Sequence, residues 1–215
     1  MSLPRQLPQA CLFDLDGTLV DSLPDVAAAL NECLDLLGLD PRPLDQYRYL
    51  AGDGIPALCR RVLRDSHPHL LNRLIELARA RYRAGLLCQT TPFPGISTLL
   101  GRLRDKGVRL AVLSNKPHDM TLRVVHAFWP ADWFDRIQGC DEERRKPDPY
   151  HVLQICGALH VDPARTWLVG DTPTDVLTAA RSGTICIGVT WGFRPRADLE
   201  AAGAQYILEH PEDLA

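Results

Sequence analysis

Asp14 and Asp16 stand two residues apart in the run CLFDLDGTLV, Cys11 to Val20, directly after an apolar stretch. Residues 10–14 read as a short buried strand ending at Asp14, and Gly17-Thr18 as the turn that leaves it. Carboxylates at the end of a buried strand are costly unless something neutralises them. A hard cation such as Mg²⁺, which prefers oxygen ligands, would do so. A solvated Asp-Gly turn is the plainer reading of these residues, but the string D-x-D-G-T-L is much rarer than such turns.

Three further segments carry candidate chemistry. Ser114-Asn115-Lys116 closes the apolar run VRLAVLS, Lys146-Pro147-Asp148-Pro149 precedes a helical pattern, and Gly170-Asp171-Thr172-Pro173-Thr174-Asp175 closes TWLVG. Together the four segments offer acidic residues, lysine, and hydroxyls with nearby backbone N–H groups. That inventory suits a phosphate bound beside a divalent metal. The carboxylates would hold the metal, while lysine and hydroxyl orient the phosphoryl oxygens.

The elements that must position these residues follow from the hydrophobic pattern. Helix is expected over 25–37, with Val26, Leu30, Cys33, Leu34 and Leu37 on one stripe and Gly38 as its stop. Asp40-Pro-Arg-Pro43 reads as a loop, and helical periodicity returns over 55–65 and 70–86. No strand is expected between about 22 and 90. After the break at Pro92-Phe-Pro-Gly95 the chain alternates. Helix 96–106 leads to strand 108–114, then come a helix from near Pro117 and a strand near 136–140. Helix 149–159, strand 166–170, helix 173–182, strand 185–190 and a short strand near 205–208 complete it. Alternation of this kind implies an α/β fold with a doubly wound, Rossmann-like parallel sheet. The helical stretch 21–91 cannot join that sheet and reads as an inserted cap domain, leaving a core of 1–20 and 92–215. In such a sheet the C-terminal strand ends converge on one crevice, where all four segments would meet.

Composition narrows the classes. The chain has 215 residues, 46% hydrophobic, enough for a substantial core, and a formal net charge of −3. No strong basic field is available to recruit nucleic acid or an anionic membrane. No apolar run approaches membrane-spanning length, and MSLPRQLPQ lacks the apolar region of a signal peptide. Seven cysteines (11, 33, 59, 88, 140, 156 and 186) include no CxxC pair, which argues against a disulfide framework or a zinc site. Most are expected to be buried small hydrophobes in a reduced, cytoplasmic compartment.

Taken in order, the four segments resemble the haloacid dehalogenase superfamily of phosphohydrolases, and the resemblance spans the whole chain. It looks closest to the phosphoglycolate phosphatase-like branch, with which Ala51-Gly-Asp-Gly54, Thr91-Pro-Phe-Pro-Gly95, Gly139-Cys-Asp141 and Val189-Thr-Trp-Gly192 are also similar. The resemblance implies roles residue by residue. Asp14 would be the nucleophile that forms an aspartyl-phosphate, and Asp16 the general acid and then base. Thr18, Ser114 and Asn115 would bind the substrate phosphoryl group. Lys146 would offset charge between Asp14 and the phosphate. Mg²⁺ would be held by Asp14, the Asp16 carbonyl oxygen and Asp171, with support from Asp175. The implied activity is a phosphatase for a small phosphorylated metabolite, with 2-phosphoglycolate or a phosphosugar as candidates. A β-phosphoglucomutase-like mutase, a pyrophosphatase and a catalytically silent binding protein are the alternatives. Asp16 argues against a dehalogenase, whose halide leaving group needs no acid. The absence of lysine from 21–91 argues against a Schiff-base phosphonate hydrolase.

Several of these residues have plainer readings. Asp175 sits where Thr172 and Pro173 would begin a helix, so it could serve that N-terminus as well as a metal. Asp148 reads as a helix cap. Lys116 reads as a solvated neighbour of Ser114 rather than a catalytic group. His67 and His69, and the arginines at 60, 61, 79, 81 and 83, read as solvated faces. One or two of those arginines could reach a substrate anion. Trp191 fits either core packing or a place near the site.

Overall fold

The computed structural model describes residues 3–4, 6–64, 66–141 and 144–214. Six strands form one parallel sheet: β1 (Ala10–Phe13), β4 (Arg109–Pro117), β5 (Arg136–Cys140), β6 (Thr166–Gly170), β7 (Ile185–Val189) and β8 (Tyr206–Leu208). Their spatial order is β5-β4-β1-β6-β7-β8. The chain therefore winds outward from β1 in one direction, then returns and winds out in the other. The reversal falls between β1 and β6, the point where such sheets open a ligand crevice.

β1 is covered on both faces, which is why its four residues ACLF are all apolar. Side chains alternate across it. Cys11 and Phe13 join one core cluster with Val112 and Val169. Ala10 and Leu12 join a second with Ala111, Val152, Ile155 and Val176 on the opposite face. The outer layers are the helices α5 (Ile96–Asp105), α6 (His118–Phe128), α7 (Tyr150–Leu159), α8 (Pro173–Ser182) and α9 (Arg196–Ala202). The expected doubly wound α/β core is thus the observed one.

Between β1 and α5 the chain is helical: α1 (Leu23–Leu36), α2 (Leu44–Leu50), α3 (Ile55–Leu63) and α4 (Leu71–Ala84). Leu30, Cys33 and Leu34 of α1 are buried with Leu74 and Ala78 of α4 in the shared core. Two short strands, β2 (Val20–Asp21) and β3 (Thr91–Pro92), pair antiparallel where the chain leaves for these helices and where it returns. Buried Asp25 ties the same region, accepting from the Gln89 N–H (2.8 Å), the Thr90 N–H (3.1 Å) and the Thr90 hydroxyl (2.6 Å).

The structure departs from the sequence reading at a few elements. α2 and α9 were not expected. Each has seven residues and buries a single side chain, Tyr47 or Leu199, so neither shows a helical stripe. β4 runs past Ser114 to Pro117, with an irregular register between Leu113 and Pro117. All seven cysteines are unpaired, and five of them are buried. Among the described residues no helix is long and apolar enough to cross a membrane.

Candidate active site

Asp14 sits at the point of reversal: it follows β1, and its N–H donates to Val169 O of β6 at 2.9 Å. Its Oδ1 accepts from the Leu15 N–H (2.7 Å) and pairs with Lys146 Nζ (2.8 Å). Oδ2 has no protein donor among the described residues. Lys146 Nζ also reaches Asp175 Oδ1 at 2.7 Å. Asp14, Asp171 and Asp175 are all buried, and each offers a carboxylate oxygen within 4.8 Å of the others'.

The surrounding groups fix these carboxylates rather than neutralise them. Asp171 Oδ1 accepts from the Thr18 hydroxyl (3.0 Å) and Oδ2 from the Phe193 N–H (2.8 Å). Burial, reinforced by Asp175, pushes the Asp171 carboxyl up to about 7 despite those two bonds. Burial likewise raises Asp14 well above the usual carboxylate range, against the pull of Lys146. Burial opposes the Lys146 charge, but Asp14 and Asp175 outweigh it and hold the ammonium above its ordinary range. Three carboxyl groups face one ammonium, so full ionisation would leave two formal negative charges in a buried cluster, which is what the raised Asp14 and Asp171 values resist. This all-oxygen donor set fits a hard divalent cation.

Close packing explains two glycines here. Gly17 has φ +88°, and a Cβ on it would overlap the Asp171 carboxylate. A Cβ on Gly192 would overlap both the Gly17 carbonyl oxygen and Asp171. The two backbone segments therefore wedge Asp171 in place. Trp191 adds to this packing by donating from Nε1 to Thr18 O at 3.0 Å.

Above the cluster opens a crevice of about 620 Å³, including its mouth, lined by Asp14, Asp16, Ser114, Asn115 and Lys116 from the sheet side. Asn115 also works beneath it. Its side chain accepts from the Lys146 N–H (2.8 Å) and donates to the Lys146 carbonyl (3.2 Å), clamping the lysine loop to β4. Thr18, expected on the substrate side, is fully buried, with its hydroxyl committed to Asp171. Asp175 serves the start of α8, as the plainer reading had it. Thr172 donates to its Oδ2 from both N–H (3.1 Å) and hydroxyl (2.7 Å). Asp148 was expected to cap α7, but Pro149 holds the N-cap position and Asp148 stands one residue before it, accepting from the Tyr150 N–H at 2.9 Å.

Lys116 is a correction. Instead of being solvated it is 5% exposed, pairs with Asp16 Oδ1, and lies 5.0 Å from the centre of the Tyr82 ring. Asp16 Oδ1 also accepts from the Ser22 hydroxyl at 2.6 Å. The extension of β4 carries Lys116 inward, and its partner lies 100 residues away in sequence, beyond any local signal.

Sequence reasoning also missed the groups that seat the helical segment on the sheet. Asp53 accepts from the Thr174 hydroxyl at 2.5 Å and pairs with Arg61. Arg48 donates to Gly192 O (3.0 Å) and Arg194 to Ala51 O (3.2 Å). The string Ala51-Gly-Asp-Gly54 was the available pointer to this seam.

Comparison with known proteins places the chain in a family. The family model for haloacid dehalogenase-like hydrolases matches residues 8–183. The phosphoglycolate phosphatase of Aquifex aeolicus is 34% identical over 204 residues, covering 94% of this chain and 93% of its own. That of Chromobacterium violaceum is 35% identical over 212 residues, covering 96% and 94%. Among solved structures, a haloacid dehalogenase-like family hydrolase from Streptococcus pneumoniae superposes with a TM-score of 0.87 at 25% identity, covering 97% and 96% of the two chains. CbbY from Rhodobacter sphaeroides, solved in complex with phosphate, gives 0.77 at 26% identity, with 97% of each chain covered. Fold and site thus define a hydrolase, and the chain belongs to the haloacid dehalogenase-like hydrolase family. Within the family it falls in the phosphoglycolate phosphatase-like branch, as a phosphoric monoester hydrolase.

Proposed function

We propose that this chain is a Mg²⁺-dependent phosphatase that hydrolyses a small-metabolite phosphomonoester through an aspartyl-phosphate on Asp14. The observation that carries this reading is the position of Asp14 in the crevice lining, with Oδ2 free of protein donors among the described residues, beside Lys146 and the other two carboxylates.

Asp14 Oδ2 attacks phosphorus, forming an Asp14 O–P bond as the ester P–O bond breaks. Asp16, 22% exposed at its side chain and facing the same crevice, gives a proton to the leaving alkoxide. It then takes one from the water that attacks the aspartyl-phosphate, which releases inorganic phosphate and restores Asp14. Ser114 and the Asn115 backbone orient the phosphoryl oxygens, and Lys146 balances their charge. Asp14, Asp171 and the Asp16 carbonyl oxygen would hold Mg²⁺, with Asp175 acting behind them through Lys146 or water. The cation would supply charge neutralisation between nucleophile and phosphoryl group. The helices of 21–91 act as a cap that shields the crevice from bulk water.

The relatives' names put 2-phosphoglycolate first among the esters to try, and hexose phosphates next. The test is phosphate release from a panel of these esters, nucleotides and pyrophosphate, with Mg²⁺ or with EDTA. Release from a monoester in Mg²⁺ alone is the expected result. Activity confined to pyrophosphate, or indifferent to EDTA, would refute the reading.

A further inference from the structure

The half of the crevice that would receive the organic part of the ester is built mostly from the helical segment. Val26, Leu30, Ile55 and Leu58 give it apolar walls. Among the described lining residues the sole cation is Lys116, and it is already paired with Asp16. Arg61 and Arg194 lie beyond Ala51 and Gly52 in a neighbouring recess, held by Asp53 and by Ala51 O. Among the described residues no second cation therefore faces this half to meet an anionic substituent. A carboxylate there would have to break the Lys116–Asp16 pair or stay unpaired against apolar side chains, and either is unfavourable.

One polar atom is unaccounted for. Tyr82 of α4 lines the crevice at 5% exposure, and among the described residues its buried hydroxyl makes no hydrogen bond of good geometry, although Lys116 and Ser22 lie close beside it. Buried polar atoms rarely go unpaired, because each costs the desolvation of a donor and an acceptor. The well-formed hydrogen bonds of both neighbours go to Asp16.

We infer that Tyr82 is a specificity-determining residue, and that its hydroxyl takes a hydrogen bond with an uncharged oxygen substituent on the leaving group. The preferred substrate is then a monoester whose organic part is uncharged, with a carbon face toward Val26, Leu30, Ile55 and Leu58. This inference rests on the phosphatase reading above and selects against glycolate-like leaving groups within it.

Three esters of similar size separate the possibilities: 2-hydroxyethyl phosphate, propyl phosphate and 2-phosphoglycolate, with nitrophenyl phosphate as a general reporter. Wild type should favour 2-hydroxyethyl phosphate over each of the other two by about tenfold or more in kcat/KM. Tyr82→Phe should lose about tenfold on 2-hydroxyethyl phosphate, and change propyl phosphate little. The variant should melt no lower than wild type, since it removes a buried hydroxyl without a well-formed hydrogen bond. Best turnover of 2-phosphoglycolate, or an equal loss on all esters in Tyr82→Phe, would overturn the inference and leave the phosphatase reading standing. No hydrolysis of any ester, nitrophenyl phosphate included, would overturn both.

Discussion

At the scale of single residues, each aspartate of the site has a distinct environment, and those environments separate the proposed roles. Asp14 is buried with one oxygen occupied, Asp171 is held at both oxygens, and Asp16 alone is partly open to the crevice. The proton donor should therefore be separable from the nucleophile by leaving group. Asp16→Ala should lower turnover of alkyl phosphates by roughly 10²–10⁴-fold, with a much smaller loss on nitrophenyl phosphate, whose leaving oxygen needs little protonation. Parallel kinetics on the two esters test this, and equal losses would remove Asp16 from the acid role. The aspartates, Ser114, Asn115 and Lys146 were legible in sequence because each closes a strand or loop beside a turn or helix start. Lys116 and Tyr82 were not. Tyr82 lies on the buried stripe of α4 with Leu74 and Ala78, four residues apart, and reads there as an ordinary core aromatic. Only the tertiary fold shows its hydroxyl without a well-formed hydrogen bond among the described residues.

At the scale of elements, the site depends on segments far apart in sequence meeting within van der Waals contact. The turn at Gly17 and the segment at Gly192 both press on Asp171. Gly192→Ala should therefore destabilise the protein by roughly 1–3 kcal/mol, as overpacking does. It should also raise the Mg²⁺ concentration needed for activity. Thermal melts and a Mg²⁺ titration check the two effects, and an unchanged titration would show that the wedge does not position Asp171. Most of the sheet and its flanking helices could be read from the alternation after Pro92, because buried strands and amphipathic helices leave period signals. The pairing of β2 with β3 and the short helices α2 and α9 left none. Their two- and seven-residue lengths are too short for a pattern, and their placement comes from tertiary contacts.

At the scale of the whole molecule, the buried carboxylate cluster couples folding to pH and to the metal. A carboxyl raised from about 3.9 in the unfolded chain to about 7 in the folded one, as for Asp171, binds more protons when folded. Its contribution to stability is present at low pH and is lost as pH rises toward about 7. A cation that takes the place of the proton reverses that loss. Mg²⁺ should thus raise the melting midpoint more at about pH 8 than at about pH 5.5, with the difference reduced in Asp171→Asn. Melting with and without Mg²⁺ across that range tests the cluster as a metal site, and a pH-independent Mg²⁺ effect would contradict it. The most direct test of the proposed chemistry is mass spectrometry of the protein quenched in acid during turnover with Mg²⁺. A phosphoryl group should be found on the peptide containing Asp14, and it should vanish, together with turnover, in Asp14→Asn. Full turnover by Asp14→Asn, or a phosphoryl group carried elsewhere on the chain, would contradict Asp14 as the nucleophile.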